Sequence, residues 1–233
     1  MLCMLMIASA LQACGSQVPT PENSAWSGLA DALTSARSDP TQNVALSQLG
    51  WYLKVQLPDS PPAILAFGYL DQQTTPPTEV WFSGAEQYVK LRAGHLVTTH
   101  GLPGVNWHNA VTDSPLPDWS QITTSGHAFQ RVRSTMPHYD VGIREQLRIV
   151  RSKAPPQPVA TLMPGATDEK ARHWQWFSET VVSSNRQPLP DALYATAHIR
   201  GVTVVAYYRQ CLTADYCLSM MRWPQLESEP HPW

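Results

Sequence analysis

Proline cuts this chain into short pieces. Twenty-one of its 233 residues are proline, about twice the usual share. They cluster at positions 58, 61 and 62, at 76 and 77, at 155, 156 and 158, and at 188 and 190. A proline inside a helix removes one hydrogen bond and clashes with the preceding turn, so long helices cannot run through these points. Short strands and loops must make up most of the molecule.

The spacing of apolar residues agrees. In WYLKVQL, Trp51, Leu53, Val55 and Leu57 share one side, and Tyr52, Lys54 and Gln56 share the other, which is the period of a strand. PAILAFGYL and TEVWF read as the next two strands. YVKL and HLVTT read as a hairpin turning at Arg92-Ala93-Gly94, where Gly94 supplies a positive φ. HAFQRVRSTM and GIREQLRIVRS follow, the latter placing Ile143, Leu147 and Ile149 opposite Arg144 and Arg148. RHWQWFSETVVSS reads as a strand, and LYATAHI and VTVVAYYRQ as a hairpin turning at Arg200-Gly201. Residues 103–120 read as a loop. The one clear helix is early: Asn23 or Ser24 can cap it, and Trp26, Leu29, Leu33 and Ala36 fall at helical spacing before Pro40. The expected fold is therefore mainly β, an antiparallel meander forming a sandwich or open barrel, with a short N-terminal helix.

The first thirteen residues stand apart. Met1 to Ala13 is almost wholly apolar. As a helix it would extend about 20 Å, short of the roughly 20 residues that cross a bilayer but suited to a signal-peptide core. Leu11-Gln12-Ala13-Cys14 reads as a lipobox. A small residue lets a peptidase reach the scissile bond, and the Cys14 thiol takes a diacylglycerol. One acyl chain anchors only marginally, and two or three hold firmly. No Lys or Arg precedes Cys14, a departure from ordinary signal peptides. The expected organisation is a signal peptide over 1–13, a flexible tether over 14–23, one β-rich domain over 24–226 and a disordered tail over 227–233. Gly15 after the lipidated cysteine suits a lipoprotein sorted to the periplasmic face of the outer membrane.

Composition excludes more than it selects. The formal net charge is −2 and no Lys/Arg block occurs, so nucleic acid is not an expected partner. Of four cysteines, Cys3 leaves with the signal peptide and Cys14 is lipidated. Cys211 and Cys217 remain as a pair, expected to form a disulfide in an oxidising compartment. The eight histidines include no HxxxH pair. His95 and His100, five apart in one strand, are expected to face opposite sides. No metal and no cofactor are expected. There is no G-x-S-x-G and no phosphate-binding glycine loop. A glycosidase-like carboxylate pair can be distant in sequence, with Asp113, Asp118, Asp140 and Glu179 as acidic candidates.

Nine tryptophans are the other conspicuous feature. Trp51 and Trp81 lie on strand faces and are expected in the core. Trp107 and Trp119 lie in polar stretches, and are the candidates for contact with a glycan or a partner protein.

YVKLRAGHLVTTHGLPGVNW resembles a segment of the YjbF/GfcB lipoproteins, in which a strand, a turn with glycine and Leu-Val, and a Thr-x-Gly-Leu run succeed one another. Gly94, Gly101 and Leu102 match that run. The lipobox, the helix after the tether, the strand HWQWFSE and the final hairpin before a C-terminal Trp are laid out similarly. The final hairpin differs, with LYATA and CLTADYC where the family carries Tyr-Trp. The resemblance implies a mostly β, non-enzymatic periplasmic lipoprotein that assists secretion or assembly of an exopolysaccharide or capsule. Its partners would be the membrane, through the lipid anchor, and polysaccharide or export proteins. The rival expectations are a periplasmic enzyme acting on polysaccharide, and a purely structural envelope lipoprotein. Burial of Trp107 and Trp119 would favour the last.

Overall fold

The computed structural model describes residues 52–226 apart from 85, 200 and 201. The signal peptide, Cys14, the tether, the N-terminal helix, the Arg200-Gly201 turn and the tail all lie outside the described residues.

Twelve antiparallel strands form one sheet that nearly closes into a barrel. The strands are β1 (Tyr52–Gln56), β2 (Ala63–Asp71), β3 (Thr78–Phe82), β4 (Tyr88–Arg92), β5 (His95–His100) and β6 (Asn106–Thr112). The second half is β7 (His127–Met136), β8 (Asp140–Ser152), β9 (Gln175–Ser184), β10 (Ala192–Ile199), β11 (Val202–Cys211) and β12 (Cys217–Trp223). Each strand pairs with its sequence neighbours, and β1 also pairs with β12. The one consecutive pair not joined by a backbone ladder is β5 and β6, the two ends of the sheet. Every described proline falls outside a strand, because a ladder needs the N–H that proline lacks.

At the β5–β6 seam, side chains replace the ladder. The Thr99 hydroxyl accepts the Trp107 N–H at 3.0 Å, and the Thr98 hydroxyl accepts the Asn109 N–H at 3.4 Å. The Asn106 side chain accepts from Leu102 N and donates to Leu102 O, each at 3.0 Å, fixing the connection between the strands. Exposed ladder edges invite aggregation, and this arrangement leaves the two edges facing one another.

The alternation read in the sequence decides the interior. Leu53, Val55, Leu65, Trp81, Val89, Leu91, Leu147, Ile149, Phe177 and Met220 form the main core. Each such aliphatic side chain stabilises by about 1.5–3 kcal/mol when fully buried. A second core lies on the outside of β9 to β12. There the short helices α1 (Val159–Leu162) and α2 (Asp168–Ala171), with Met163 and Trp174, cover Leu193, Ala195, Ala197, Tyr207 and Met221. Hence β10 is buried through Ala192–Ala197 without alternation. The cover is pinned by Lys54 Nζ on Pro164 O at 2.6 Å, by a reciprocal Gln225–Thr167 amide pairing at 2.8 Å, and by Trp174 Nε1 on Leu226 O at 3.1 Å.

The hairpin between β4 and β5 turns where expected, with Ala93 at φ 49° and Gly94 at φ 82°. Gly94 is constrained twice, because a Cβ there would also overlap Val205 of β11. The tip therefore leans against the opposite side of the barrel. Cys211 and Cys217 form the expected disulfide across the β11–β12 connection.

Part of 103–120 is not the loop that was expected. Residues 106–112 form β6, with a register shift between His108 and Val111 and Asn109 at φ 51°. That bulge puts Trp107 and Ala110 inward at a spacing of three, so the period of two was hidden.

Candidate functional site

The two tryptophans offered as exposed contacts are both inside. Trp107 is 0% exposed and Trp119 is 8% exposed, which corrects the expectation for both. Trp107 faces inward because β6 is a strand. Its Nε1 donates to Leu212 O at 3.3 Å, in the disulfide-closed connection. Trp119 begins a single 3-10 turn, Trp119–Gln121. Its indole packs against Phe177 and Tyr194, and Nε1 donates to Ala93 O at the β4–β5 tip at 2.9 Å.

Both rings instead flank a buried ionic cluster. The inward positions of three adjacent strands each carry charge: Arg131 and Arg133 on β7, Glu145 on β8, and Glu179 on β9. Arg131 and Glu145 are direct cross-strand partners. Arg131 Nε donates to Glu145 Oε2 at 2.8 Å and its Nη1 to Glu179 Oε1 at 3.0 Å. Arg133 donates from Nη2 and Nε to Glu145 Oε1, at 2.7 and 3.1 Å. The Trp107 ring lies 4.7 Å from the Arg131 guanidinium and 4.8 Å from that of Arg133, a cation–π contact strengthened by desolvation. Trp119 stacks on His95 with ring centres 5.0 Å apart. His95 Nδ1 is 3.5 Å from Glu179 Oε2. The Tyr194 hydroxyl is 3.2 Å from the same oxygen and 3.3 Å from Gln210 Oε1.

The electrostatics follow from burial and pairing. Burial favours the neutral form of Glu179, but Arg131, His95 and Tyr194 outweigh it and hold the carboxyl below its ordinary range. Burial works against the charge on Arg131 as well, and Glu179 and Glu145 overcome that, raising it. Tyr194 is pushed well above the ordinary phenol by burial and by Glu179, so it stays a neutral donor. Two arginines thus face two carboxylates in a sealed, charge-balanced cluster.

The other candidates separate. Asp113 Oδ1 accepts from Gln130 N and from the Ser114 hydroxyl. Asp118 precedes the 3-10 turn, and Asp140 pairs with Arg186 at the surface. Only Glu179 reaches the cluster. His95 and His100 do part company, since His100 is exposed and stacks on Tyr88. Among the described residues no group of three metal-ligating side chains comes together, and no described helix is long and apolar enough to cross a membrane.

Comparison with known proteins gives a fold and stops there. No family model matches the chain, and no curated protein matches it. It resembles a solved structure, that of the hypothetical lipoprotein YmcC from Escherichia coli K12. The match has 15% identity and a TM-score of 0.55, and covers 75% of this chain and 87% of that one.

The YmcC-like barrel carries two further features that the sequence reading missed. The first is a cavity of about 250 Å³ beside the seam, at the β4–β5 tip, lined by Arg92, His95, Ala110, Asp113, Phe129 and Arg131 among others. The second is a row of rings across the outer face of β2 to β5: Tyr69 packs on Phe82, Phe82 on Tyr88, and Tyr88 on His100. Tyr69 is 50% exposed. A signal for the cluster was present in the sequence. Phe129-x-Arg131-x-Arg133, Ile143-x-Glu145-x-Leu147 and Phe177-x-Glu179-x-Val181 each set charge among alternate, otherwise mostly apolar positions.

Proposed function

We propose that the protein is a non-enzymatic envelope lipoprotein, anchored through Cys14 at the periplasmic face of the outer membrane, that assists secretion or assembly of an exopolysaccharide or capsule. The observation that carries the reading is the lipobox at Leu11–Cys14 standing ahead of a barrel shared with a protein named as a hypothetical lipoprotein. The row from Tyr69 to His100 takes the place of Trp107 and Trp119 as the contact for polymer or partner, since exposed rings offer flat apolar faces to a sugar. An enzymatic reading would use Glu145 and Glu179. Both are committed to arginine, and Glu179 is held ionised. A glycosidase acid needs the opposite, a carboxyl whose pKa is raised. The burial of Trp107 and Trp119 supports a second reading, a structural envelope lipoprotein without glycan contact.

Cys14→Ser tests the anchor. The variant is expected to move from the membrane pellet to the soluble fraction. Retention in the pellet after a carbonate wash overturns the reading.

A further inference from the structure

A groove of about 500 Å³ lies between the β8–β9 connection and α2, lined by Lys153, Pro155, Pro156, Arg172, Trp174 and Trp176 among others. Trp174 and Trp176 are its buried liners, with ring centres 6.0 Å apart. Lys153 and Arg172 are its exposed cations. Among the described residues neither forms an ion pair. Asp168 is the acid in the lining, and its Oδ1 already accepts Val159 N at 2.7 Å. The far end of the described chain arrives at this groove. Gln225 is clamped to Thr167, next to Asp168, and Trp174 Nε1 donates to Leu226 O. A ring that lines the groove therefore holds the residue from which 227–233 departs. That segment is Glu-Ser-Glu-Pro-His-Pro-Trp, and seven residues reach about 25 Å at full extension. Pro230 and Pro232 favour the extended polyproline form, which docks in aromatic-lined grooves. Glu227 and Glu229 match the two cations in sign and number.

We propose that residues 227–233 dock in this groove of the same chain, in place of the disordered tail read from composition. The prolines and Trp233 lie against Pro155, Pro156 and the buried tryptophans, and Glu227 and Glu229 face Lys153 and Arg172. One exposed ion pair is weak, but a short tether raises the local concentration of the segment to roughly millimolar. Contacts too weak to capture a free peptide can then hold a segment that starts one ring away. The inference goes beyond the export reading and does not rest on it: it stands on the groove and on the point where the chain leaves it.

Photo-cross-linking of the full chain, purified in detergent, tests it with Trp233→p-benzoylphenylalanine. Mass spectrometry is expected to find the cross-link within one chain, on residues 153–159 or 171–176. In the same chain Lys153→Glu with Arg172→Glu is expected to lower the yield at least about twofold, the least that two exposed ion pairs should give. Both positions are exposed, so the melting temperature should not move. Adding Glu227→Lys and Glu229→Lys to that chain is expected to restore the yield. No cross-link to the groove, a cross-link to another face or to a second copy, or a yield indifferent to the charge reversals each overturns the proposal. None of these results bears on the release of Cys14→Ser from membranes, so the two readings fail separately.

Discussion

The barrel uses one device twice, at two depths. On the β7–β9 side, Arg131 and Arg133 lie beside Trp107 with Glu145 and Glu179, and every carboxylate is sealed from water. On the β3–β12 side, Arg222 lies 5.3 Å from Trp81 and donates to Glu79 at 2.6 and 2.9 Å. There the Glu79 side chain keeps 24% of its surface exposed, and Arg222 Nε also donates to Val205 O at 3.0 Å. Removing one member of a sealed pair strands a charge that water cannot reach, whereas a partly open pair can be resolvated. The same three residue types should therefore carry different weights in the two places.

The sharpest way to break that comparison is Glu145→Gln, which deprives both Arg131 and Arg133 of their shared carboxylate. It should cost about 3–5 kcal/mol in urea unfolding; a loss under about 1 kcal/mol would show that water enters the cluster. Acid should expose the same cluster in the unmodified protein. The Glu179 carboxyl is held below its ordinary value of 4.5, so its contribution is complete above that pH and is lost as the pH falls through the lower, folded value. The melting temperature should hold from pH 7 to about pH 5 and decline below about pH 4. In Glu179→Gln that decline should be shallower, and an unchanged acid limb would assign it to other groups. Next in size is Glu79→Gln. With Glu79 partly in water and Arg222 still bonded to Val205 O, a cost of about 1–2 kcal/mol is expected; equality with Glu145→Gln would erase the distinction between the two sites. Asp140→Asn sets the floor. The Asp140–Arg186 pair is largely exposed, and its loss should lie within about 0.5 kcal/mol of zero.

Much of the barrel could be read before folding. Wherever a strand keeps its period of two and has one wet face, as in β8 with Ile143, Leu147 and Ile149 inward and Arg144, Gln146 and Arg148 outward, its place followed from spacing alone. The reading failed where geometry broke the period. In β6 the bulge at His108–Val111 spaced Trp107 and Ala110 three apart, and polar neighbours made the segment look like a loop. Trp119 misled for a related reason. Its neighbours are polar because the turn lies at the surface, while the ring itself goes inward to His95 and Tyr194. Glu145 shares a strand face with Ile143, Leu147 and Ile149, but spacing alone does not tell a buried acid from a break in the apolar pattern, because the arginine that compensates it lies on another strand.

The sequence alone determined the strand-rich, proline-punctuated architecture, the Ala93-Gly94 turn and the Cys211–Cys217 pairing, because each depends on local geometry: a missing N–H, a positive φ, two thiols six residues apart. It also carries the lipobox, which is a matter of chemistry at one cysteine. Only the tertiary structure decided that β1 would meet β12, that β5 and β6 would face each other across threonine hydroxyls, and that Arg131, Glu145, Glu179 and His95 would share one enclosure beside a cavity. Those outcomes depend on strands far apart in the chain, and the energy of a buried charge is set by what surrounds it rather than by its sequence neighbours.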